Sequence, residues 1–379
     1  MRRDAFISAQ RAYIRRADGG YETFVPPSLP PKLDLEPGLV QRLSEADRAL
    51  GLLSGVAHSL TSPYLLSQSF LRREAVLSSR IEGTEATLSD LVLFEADNID
   101  HTGDSREVAN YMLAMEQALR SDRELPVSLR LLRQMHKTLL TDTRGSNATP
   151  GEFRRQQVWI GSKDCRLEDA RYVPPAPESL MECLDAFEKY VHRPHPVPLI
   201  DLAYLHYQFE AIHPFLDGNG RLGRLLIALL LCEWDLLPTP LLDISGFFEP
   251  HREAYYERLF AVSSEGDWNG WVEYFLTAVA VQAKGAVERA KNLRDLRDHY
   301  REQVTSAGSS VLLSALVDHF FNMPALTVRQ AEHRLDVSYR TASKCVDKLV
   351  EAGIVNEVTG RARDRIYVAQ EILTLLTKP

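Results

Sequence analysis

Apolar residues recur every three or four positions along most of this chain, which is the spacing of one face of an α-helix. Leu39, Leu43 and Leu50 lie on one such face, and a second pattern continues to residue 81, where Gly83 follows as a helix breaker. Patterns of this kind cover residues 37–122, 128–140, 178–192, 198–284 and 286–305. The chain is therefore expected to be mainly α-helical.

One strand pair is predicted in the main body. Residues 154–160 run to the turn residues 161–164, and residues 171–175 return after a short loop. Upstream, the proline-rich stretch at residues 24–32 is expected to lie over the body as an extended arm, because each proline fixes its φ angle.

The last seventy residues have a different pattern. Helices are predicted at residues 309–321, 327–335 and 338–352, and two short strands flank residues 359–363. This order of three helices followed by a hairpin resembles a winged helix-turn-helix. The predicted domains are an N-terminal arm and helical region (1–122), a central helical core (123–285), a connecting helix with a linker that begins at Ala307 (286–308), and the winged helix domain (309–379).

Composition narrows the class of protein further. The 379 residues carry 44 Lys and Arg against 52 Asp and Glu, for a net charge of −8, and 45% of them are hydrophobic. These values are typical of a soluble globular protein. The longest apolar run, residues 225–232, is far shorter than the roughly 20 residues of a membrane-spanning helix. With no C-x-x-C pair and no apolar signal segment at the start, a cytoplasmic protein without a membrane partner is expected.

The chemistry is concentrated in residues 213–224, which read His-Pro-Phe-Leu-Asp-Gly-Asn-Gly-Arg-Leu-Gly-Arg. This polar loop joins two apolar helices. Gly218 and Gly220 allow consecutive main-chain N–H groups to point the same way, and such a nest at a helix N-terminus binds phosphate. Arg221 and Arg224 can add charge-assisted hydrogen bonds to phosphate oxygens.

Two further side chains of the loop suggest catalysis. Asp217 is a hard oxygen ligand of the kind that Mg²⁺ takes together with phosphates. His213, with an ordinary pKa near ~6.5, can take a proton from a hydroxyl group. The loop also contains a G-x-G-x-x-G match, but no buried strand precedes it, so a dinucleotide fold is rejected. The loop therefore predicts a nucleotide-phosphate site with a base and a metal ligand.

Residues 213–224 match H-P-F-x-(D/E)-G-N-G-R-x-x-R at every defined position, and the chain therefore resembles the Fic family. The resemblance implies a mainly α fold, with a Fic helical core and a β-hairpin flap. It also implies transfer of AMP from ATP to Ser, Thr or Tyr hydroxyls of a target protein, including the protein itself. The flap, here Val158, Trp159 and Ile160, would hold the target segment by strand-type pairing.

The same resemblance implies a role for each residue of the site. His213 is the base that takes the hydroxyl proton, and Asp217 holds Mg²⁺ between the α- and β-phosphates of ATP. The remaining nucleotide contacts are assigned to Gly218, Asn219, Gly220 and Arg221 at the phosphates, Arg224 at the γ-phosphate, and Tyr256 on the adenine side.

A second motif lies upstream. Ser78, Glu82 and Gly83 match (S/T)-x-x-x-E-(G/N), which resembles the inhibitory motif of the N-terminally inhibited class of the family. In that class the glutamate binds the second arginine of the loop, here Arg224, and keeps it from the γ-phosphate. A self-inhibited enzyme is expected. One alternative is a hydrolase in which Glu82 aligns water to remove AMP from a modified protein.

The sequence of the C-terminal domain predicts a further function, DNA binding. Tyr339, Arg340 and Lys344 begin its third helix, and Arg361 and Arg363 lie between its strands, an arrangement that predicts DNA binding. Dimerisation or protein docking is the alternative, because basic and acidic residues are nearly balanced there. A DNA-binding regulator whose core senses ATP is therefore also considered, and the resemblance allows a homodimer.

Overall fold

The computed structural model describes residues 3–59, 63–97, 99–100, 103–120, 122–123, 125–162, 164–306 and 311–378. Its mainly helical class, with small antiparallel sheets, confirms the prediction from the apolar spacing. The linker predicted at residues 307–310 lies outside the described residues. None of the helices in the described ranges is long and apolar enough to cross a lipid bilayer.

A two-stranded antiparallel hairpin precedes the proline-rich stretch, and it consists of β1 (Ile14–Arg16) and β2 (Glu22–Phe24). Strands of three residues are too short for an alternating pattern to reveal them in the sequence. Phe24 is fully buried, and its N–H donates to the carbonyl oxygen of Val173 at 2.8 Å. The ring of Phe6 stacks on it with 5.5 Å between ring centroids. These contacts hold the arm against the body.

Five helices form the next part of the chain. They are α1 (Pro37–Ser59), α2 (Pro63–Ile81), α3 (Leu88–Asp97), α4 (Ser105–Leu119) and α5 (Leu129–Leu140). The end of α2 agrees with the sequence pattern, because Gly83 has a φ of +91°, in the left-handed region that favours glycine. Ser128 caps α5, since its hydroxyl accepts the N–H of Leu131 at 3.3 Å.

Six helices follow: α6 (Pro177–Val191), α7 (Pro198–Ile212), α8 (Asn219–Glu233), α9 (Ser245–Phe248), α10 (Arg252–Glu265) and α11 (Trp268–Ser306). Nearly all residues of α7 and α8 are buried. The long α11 continues through the boundary predicted at residue 286, and Ala286, Ala290 and Leu293 are buried. The predicted connecting helix therefore packs against the body through a largely apolar face, on which Arg289 is also buried.

The strand pair predicted at residues 154–160 and 171–175 is reduced to one antiparallel bridge, between Ile160 and Tyr172. On the first segment, the N–H of Arg154 donates to a carbonyl oxygen outside the pair. The returning segment ends in two prolines, which have no N–H to donate to a ladder. The β-hairpin flap expected from the resemblance is therefore a loop with a single bridge.

The C-terminal module, defined here as residues 311–378, contains four helices and a three-stranded antiparallel sheet in the order β3-β5-β4. Three helices and a strand pair lie where the sequence predicts them, and β3 and α15 are additions to that pattern. Assignment of the module to the winged helix class stays a prediction. Its elements are α12 (Val311–Asn322), β3 (Ala325–Thr327), α13 (Val328–Leu335), α14 (Tyr339–Glu351), β4 (Asn356–Glu357), β5 (Ile366–Val368) and α15 (Gln370–Thr377).

One buried carboxylate connects three segments of the body. Asp243 lies between α8 and α9 and has no exposed surface. Its two oxygens bind Arg73 of α2 and Arg289 of α11, each with 2.6 Å between nitrogen and oxygen. Because both arginines are also buried, loss of this carboxylate would leave two cations without their shared anionic partner.

Asp243→Asn is therefore expected to lower the free energy of unfolding by about 3–5 kcal/mol. Denaturant unfolding followed by circular dichroism measures the change. The matched control is Asp295→Asn, which removes the carboxylate of an exposed ion pair with Arg294. The control is expected to change stability by less than about 0.5 kcal/mol. Equal losses in the two variants would contradict the role of the buried carboxylate.

Candidate active site

Residues 213–224, hereafter the signature loop, connect α7 to α8. His213 follows α7 directly, and its φ of 50° lies in the left-handed region. Its N–H donates to the carbonyl oxygen of Phe209 at 3.0 Å. The amide of Asn219 closes the loop, since it bonds the N–H and the carbonyl oxygen of Phe215 at 2.9 and 3.0 Å. This side chain therefore shapes the loop, and its contact with phosphate stays a prediction.

His136 of α5 holds the signature loop in place by a hydrogen bond to its main chain and by ring stacking. The N–H of Gly151 donates to Nδ1 of His136 at 2.9 Å, so Nε2 carries the proton and donates to the carbonyl oxygen of Asp217, also at 2.9 Å. The imidazole stacks on Phe215 with 3.8 Å between ring centroids. Burial lowers the pKa of His136 to about 4, which keeps the ring neutral. Its partners lie far away in the sequence, so no local pattern could identify this role.

A buried arginine binds the main chain on the other side of the loop. Nε of Arg154 donates to the carbonyl oxygen of His213 at 2.8 Å, and its Nη2 donates to those of Ile212 and Pro175 at 3.3 and 2.5 Å. Among the described residues, no carboxylate lies within ion-pair distance of this guanidinium. Arg154 therefore fixes the backbone at the histidine and places an uncompensated positive charge beside it.

The electrostatic environment favours a neutral histidine at position 213. Burial, and then the positive charge of Arg154, lower the pKa of His213 to about 4. Its Nδ1 lies 3.3 Å from the carbonyl oxygen of Glu210, which places the ring proton on Nδ1 and leaves Nε2 as an acceptor. A neutral imidazole with a free Nε2 can take a proton from a hydroxyl group at pH 7.

The first turn of α8 contains a second buried ion pair. Arg221 binds Glu107 of α4, and both side chains are almost completely buried. Its other terminal nitrogen lies 3.7 Å from the carboxylate of Asp217. Sequence analysis missed Glu107, because a single glutamate in an amphipathic helix carries no distinguishing pattern. The predicted contact of Arg221 with phosphates would have to form beside this carboxylate.

Asp217 has the properties of a ligand for a metal that arrives with phosphates. Its side chain is 52% exposed, and one carboxylate oxygen accepts the N–H of Gly218 at 2.6 Å. Gly218 has a φ of 77°, which lets the chain turn into α8. The described residues contain no group of three or more His, Cys, Asp or Glu that could hold a metal ion alone. A single carboxylate fits Mg²⁺, which commonly completes its coordination with phosphate and water.

The inhibitory motif contacts the last residue of the signature loop. Arg224 is buried in α8, where its Nε donates to the hydroxyl of Ser78 at 2.9 Å. Its Nη2 donates to the carbonyl oxygen of Ser78 at 2.9 Å and to Oε1 of Glu82 at 2.7 Å. Burial opposes both charges, but the guanidinium lowers the pKa of Glu82 and the carboxylate raises the pKa of Arg224. Both groups are therefore charged in the folded protein.

Glu82 also lies against the first turn of α8. A Cβ placed on Gly220 would clash with Oε1 of Glu82, so the carboxylate occupies space that any larger residue at position 220 would need. This is the helix N-terminus that the sequence predicts as a phosphate site. The carboxylate of Glu82, the residue that follows α2, thus lies where an anion is expected.

A cavity of about 530 Å³ brings these groups together. Its lining includes Glu82, His213, Arg224, Ile160, Tyr256 and Phe260. Residues predicted to be catalytic, inhibitory, part of the flap and on the adenine side therefore line one cavity. Val158 and Trp159 lie outside this lining, and Trp159 is exposed with its Nε1 donating to the carbonyl oxygen of Cys165 at 2.9 Å.

Glu210 is a further carboxylate at this cavity that sequence analysis missed. It lies three residues before His213, and burial raises its pKa to about 7. A Cβ on Gly223 would be 2.5 Å from its Oε1, so the side chain packs directly against α8. Glu82 thus binds Arg224 directly, whereas Glu210 lies near enough to affect its pKa electrostatically.

The residues predicted to bind DNA divide into two groups. Tyr339, Arg340, Lys344 and Arg363 are exposed on the C-terminal module. Arg361 is different, because it forms an ion pair with Asp97 of α3 at 3.0 Å.

Two family models match the chain. The model named Fic/DOC family N-terminal matches residues 40–120, which include the inhibitory motif. The model named Fic/DOC family matches residues 126–231, which include the entire signature loop. The chain belongs to the Fic/DOC family.

Relatives named protein adenylyltransferase Fic are similar in sequence to this Fic protein. The one from Drosophila persimilis is 27% identical over 242 residues, which are 62% of this chain and 44% of the relative. The one from Drosophila virilis is 29% identical over 202 residues, 51% of this chain and 38% of the relative. The matches thus span less than half the length of either relative.

Solved structures of Fic proteins share the fold. A Fic family protein from Desulfovibrio desulfuricans G20 aligns with a TM-score of 0.59 at 22% identity, covering 90% of this chain and 98% of the other. Fic-1 from C. elegans aligns with a TM-score of 0.52 at 22% identity, covering 69% and 75%. These alignments confirm the Fic helical fold predicted for the chain.

Arg154→Gln is expected to raise the pKa of His213, because it removes a buried positive charge beside the imidazole. An NMR titration of the histidine ring signals measures this, and in the unchanged protein His213 is expected to titrate at about 4. The control Arg155→Gln removes a charge that is 89% exposed and should leave the midpoint in place. An ordinary midpoint near ~6.5 in the unchanged protein would contradict this account of the site.

Proposed function

We propose that the protein transfers AMP from ATP to hydroxyl groups of proteins and that Glu82 holds it in a self-inhibited state. The observation that carries the proposal is the shared cavity, in which a neutral His213 lies with an Arg224 that Glu82 already binds. The relatives named protein adenylyltransferase Fic support the same class of reaction.

His213 acts as the base in this proposal. A target hydroxyl gives its proton to Nε2 of His213 while its oxygen bonds to the α-phosphorus of ATP. The bond from that phosphorus to the bridging oxygen of the leaving group breaks, and pyrophosphate departs. His136 and Arg154 keep the loop in place through main-chain contacts, so that the imidazole does not need to rearrange during the step.

The first turn of α8 binds the phosphates. The main-chain N–H of Gly220 and the positive end of the helix dipole favour anions at this turn, and the N–H of Gly218 already donates to Asp217. Arg224 takes the γ-phosphate once it is released by Glu82. Asp217 would hold Mg²⁺, which when bound neutralises phosphate charge.

The target segment is proposed to lie at the flap. Ile160 borders the cavity, and the main chain around Val158 and Trp159 is in no ladder with a neighbouring strand. An extended segment could therefore pair there by strand addition, with its hydroxyl directed to His213.

Glu82→Gly is expected to increase incorporation of label from α-labelled ATP into protein by about ten- to hundredfold, because it removes the charged partner of Arg224. The assay compares ATP labelled at the α-phosphate with ATP labelled at the γ-phosphate, in the presence of Mg²⁺. Adenylylation transfers the α label alone. His213→Ala in the Glu82→Gly protein is the control and should abolish transfer.

Transfer of neither label by Glu82→Gly would overturn the proposal. Removal of AMP from a modified protein is the second candidate, because Glu82 and His213 line the same cavity and a carboxylate there could align water. Release of AMP from a modified protein by the unchanged enzyme, lost in Glu82→Gly, would favour that direction.

DNA binding by the C-terminal module is a separate proposal, supported by the exposed cations Arg340 and Lys344 on α14. Arg340→Ala with Lys344→Ala is expected to weaken binding of duplex DNA and to lower its salt dependence by about one unit of slope per lost phosphate contact. Fluorescence anisotropy at several salt concentrations measures both. Arg16→Ala with Arg48→Ala, exposed cations outside the module, serves as control. An equal loss in both variants would speak against a specific DNA surface.

A further inference from the structure

We infer that the C-terminal module holds α2 in the position from which Glu82 reaches Arg224, so that the module is part of the inhibitory apparatus. This inference rests on the proposed function, since it concerns how the same site is kept inactive. It assigns a regulatory role to residues far from the cavity.

Three neighbouring side chains of α2 bind the module. Ser69 donates to the carbonyl oxygen of Phe321 at 3.0 Å, and Arg72 donates to that of Asn322 at 2.5 Å. The next residue, Arg73, donates to the carbonyl oxygen of Leu376 at 2.7 Å. These acceptors are the last carbonyl groups of two different helices, α12 and α15.

Such contacts are strong for a physical reason. The last carbonyl groups of a helix have no partner within the helix, and the helix dipole makes this end negative. The guanidinium groups of Arg72 and Arg73 supply both hydrogen-bond donors for these carbonyl groups and positive charge for the negative helix end. These two arginines are only 3% and 9% exposed. The ends of α12 and α15 are therefore bound to one face of α2, and a shift of the module would leave buried polar groups unpaired.

The module also binds α3, beside α2. The side chain of Gln330 donates to the carbonyl oxygen of Glu95 at 3.4 Å, and the carboxylate of Glu95 binds Arg72 at 2.7 Å. Arg361 pairs with Asp97 at the end of the same helix. Arg72 is thus held by the module and by α3 at once, which fixes α2 relative to both.

Because α2 is a continuous helix, contacts that fix it at Arg73 also affect the position of its end near the active site. Ser78 lies five residues beyond Arg73 and Glu82 nine, or about 13 Å along a helix at 1.5 Å per residue. Between them, Glu74 is buried and accepts hydrogen bonds from the main chain and hydroxyl of Ser245, at 3.0 and 2.6 Å. A helix held at Arg73 and Glu74 therefore presents Ser78 and Glu82 to Arg224 in a fixed position.

The junction between α2 and the module is not packed throughout. A cleft of about 450 Å³ lies there, lined by polar side chains that include Gln68, Arg72, Glu116 and Arg334. The polar contacts described above therefore hold the junction at this point, without close apolar packing. Substitutions of these contacts are expected to loosen α2 without dismantling the core.

The first test removes the contact of Arg72 with the module. The variant combines Arg72→Gln with Glu95→Gln, so that no buried charge is left unpaired. Incorporation of α-labelled AMP is expected to rise about fivefold or more, the lower end of typical coupling between sites. In a Glu82→Gly background the same variant should have no further effect. Arg42→Gln with Glu45→Gln, an exposed ion pair on α1, is the matched control and should leave incorporation unchanged.

The second test exchanges charges at the edge of the junction. Arg361→Asp and Asp97→Arg each place like charges together, and each is expected to raise incorporation and hydrogen exchange of residues 66–81. The double variant restores an opposite-charge pair and should return both quantities towards those of the unchanged protein. A structural defect alone would also lower incorporation in the Glu82→Gly background.

The outcomes separate the two proposals. An inactive Glu82→Gly protein would mean that the proposed function is wrong. An active Glu82→Gly protein, together with junction variants that leave incorporation at the level of the unchanged protein, would overturn the inference about the module. Rises in the single charge variants without recovery in the double variant would overturn it as well.

Discussion

The structure of this Fic protein depends on the requirement of one buried guanidinium for an anion. Arg224 has no exposed side-chain surface, and a buried cation without a partner is strongly unfavourable. Glu82 meets this requirement and Ser78 adds hydrogen bonds, and in the proposed reaction the γ-phosphate of ATP replaces the carboxylate. The resting state and the nucleotide-bound state therefore compete for the same donor group.

Buried charges recur around this centre and connect it to the rest of the fold. Asp243 binds Arg73 and Arg289, Arg221 binds Glu107, and Arg72 binds Glu95. The pairs of Asp243 and Arg221 join elements that are distant in the sequence, and the pair of Arg72 joins α2 to the next helix. The contacts of α2 thus involve both the body and the C-terminal module, and Glu82 is the residue that directly follows this helix.

Sequence reasoning could predict the local features of the site, because they lie within short segments. The polar loop between α7 and α8 and the end of α2 before Gly83 both follow from residues within a few positions of one another. The contact between Glu82 and Arg224 was expected only because two motifs resemble those of the Fic family. The helical pattern of the body and the order of elements in the C-terminal module were accessible in the same way. The apolar spacing that defines a helix face is itself a local property.

Contacts between distant segments could not be predicted from the residues themselves. His136 and Arg154 support the loop through carbonyl oxygens, which every residue has and which no motif reveals. The predicted flap strands failed for a related reason, since Arg154 pairs elsewhere and prolines end the returning segment. The domain boundary placed at residue 286 stays a prediction, and α11 runs through that position without a break.

The competition for Arg224 is tested most directly by calorimetric titration of ATP and ADP into the unchanged protein and into Glu82→Gly. ADP has no γ-phosphate and serves as the internal reference. The account predicts that Glu82→Gly tightens ATP binding by about tenfold or more, the effect of roughly one charge-assisted hydrogen bond, while ADP affinity changes far less. Equal changes for both nucleotides, or no change for either, would contradict it.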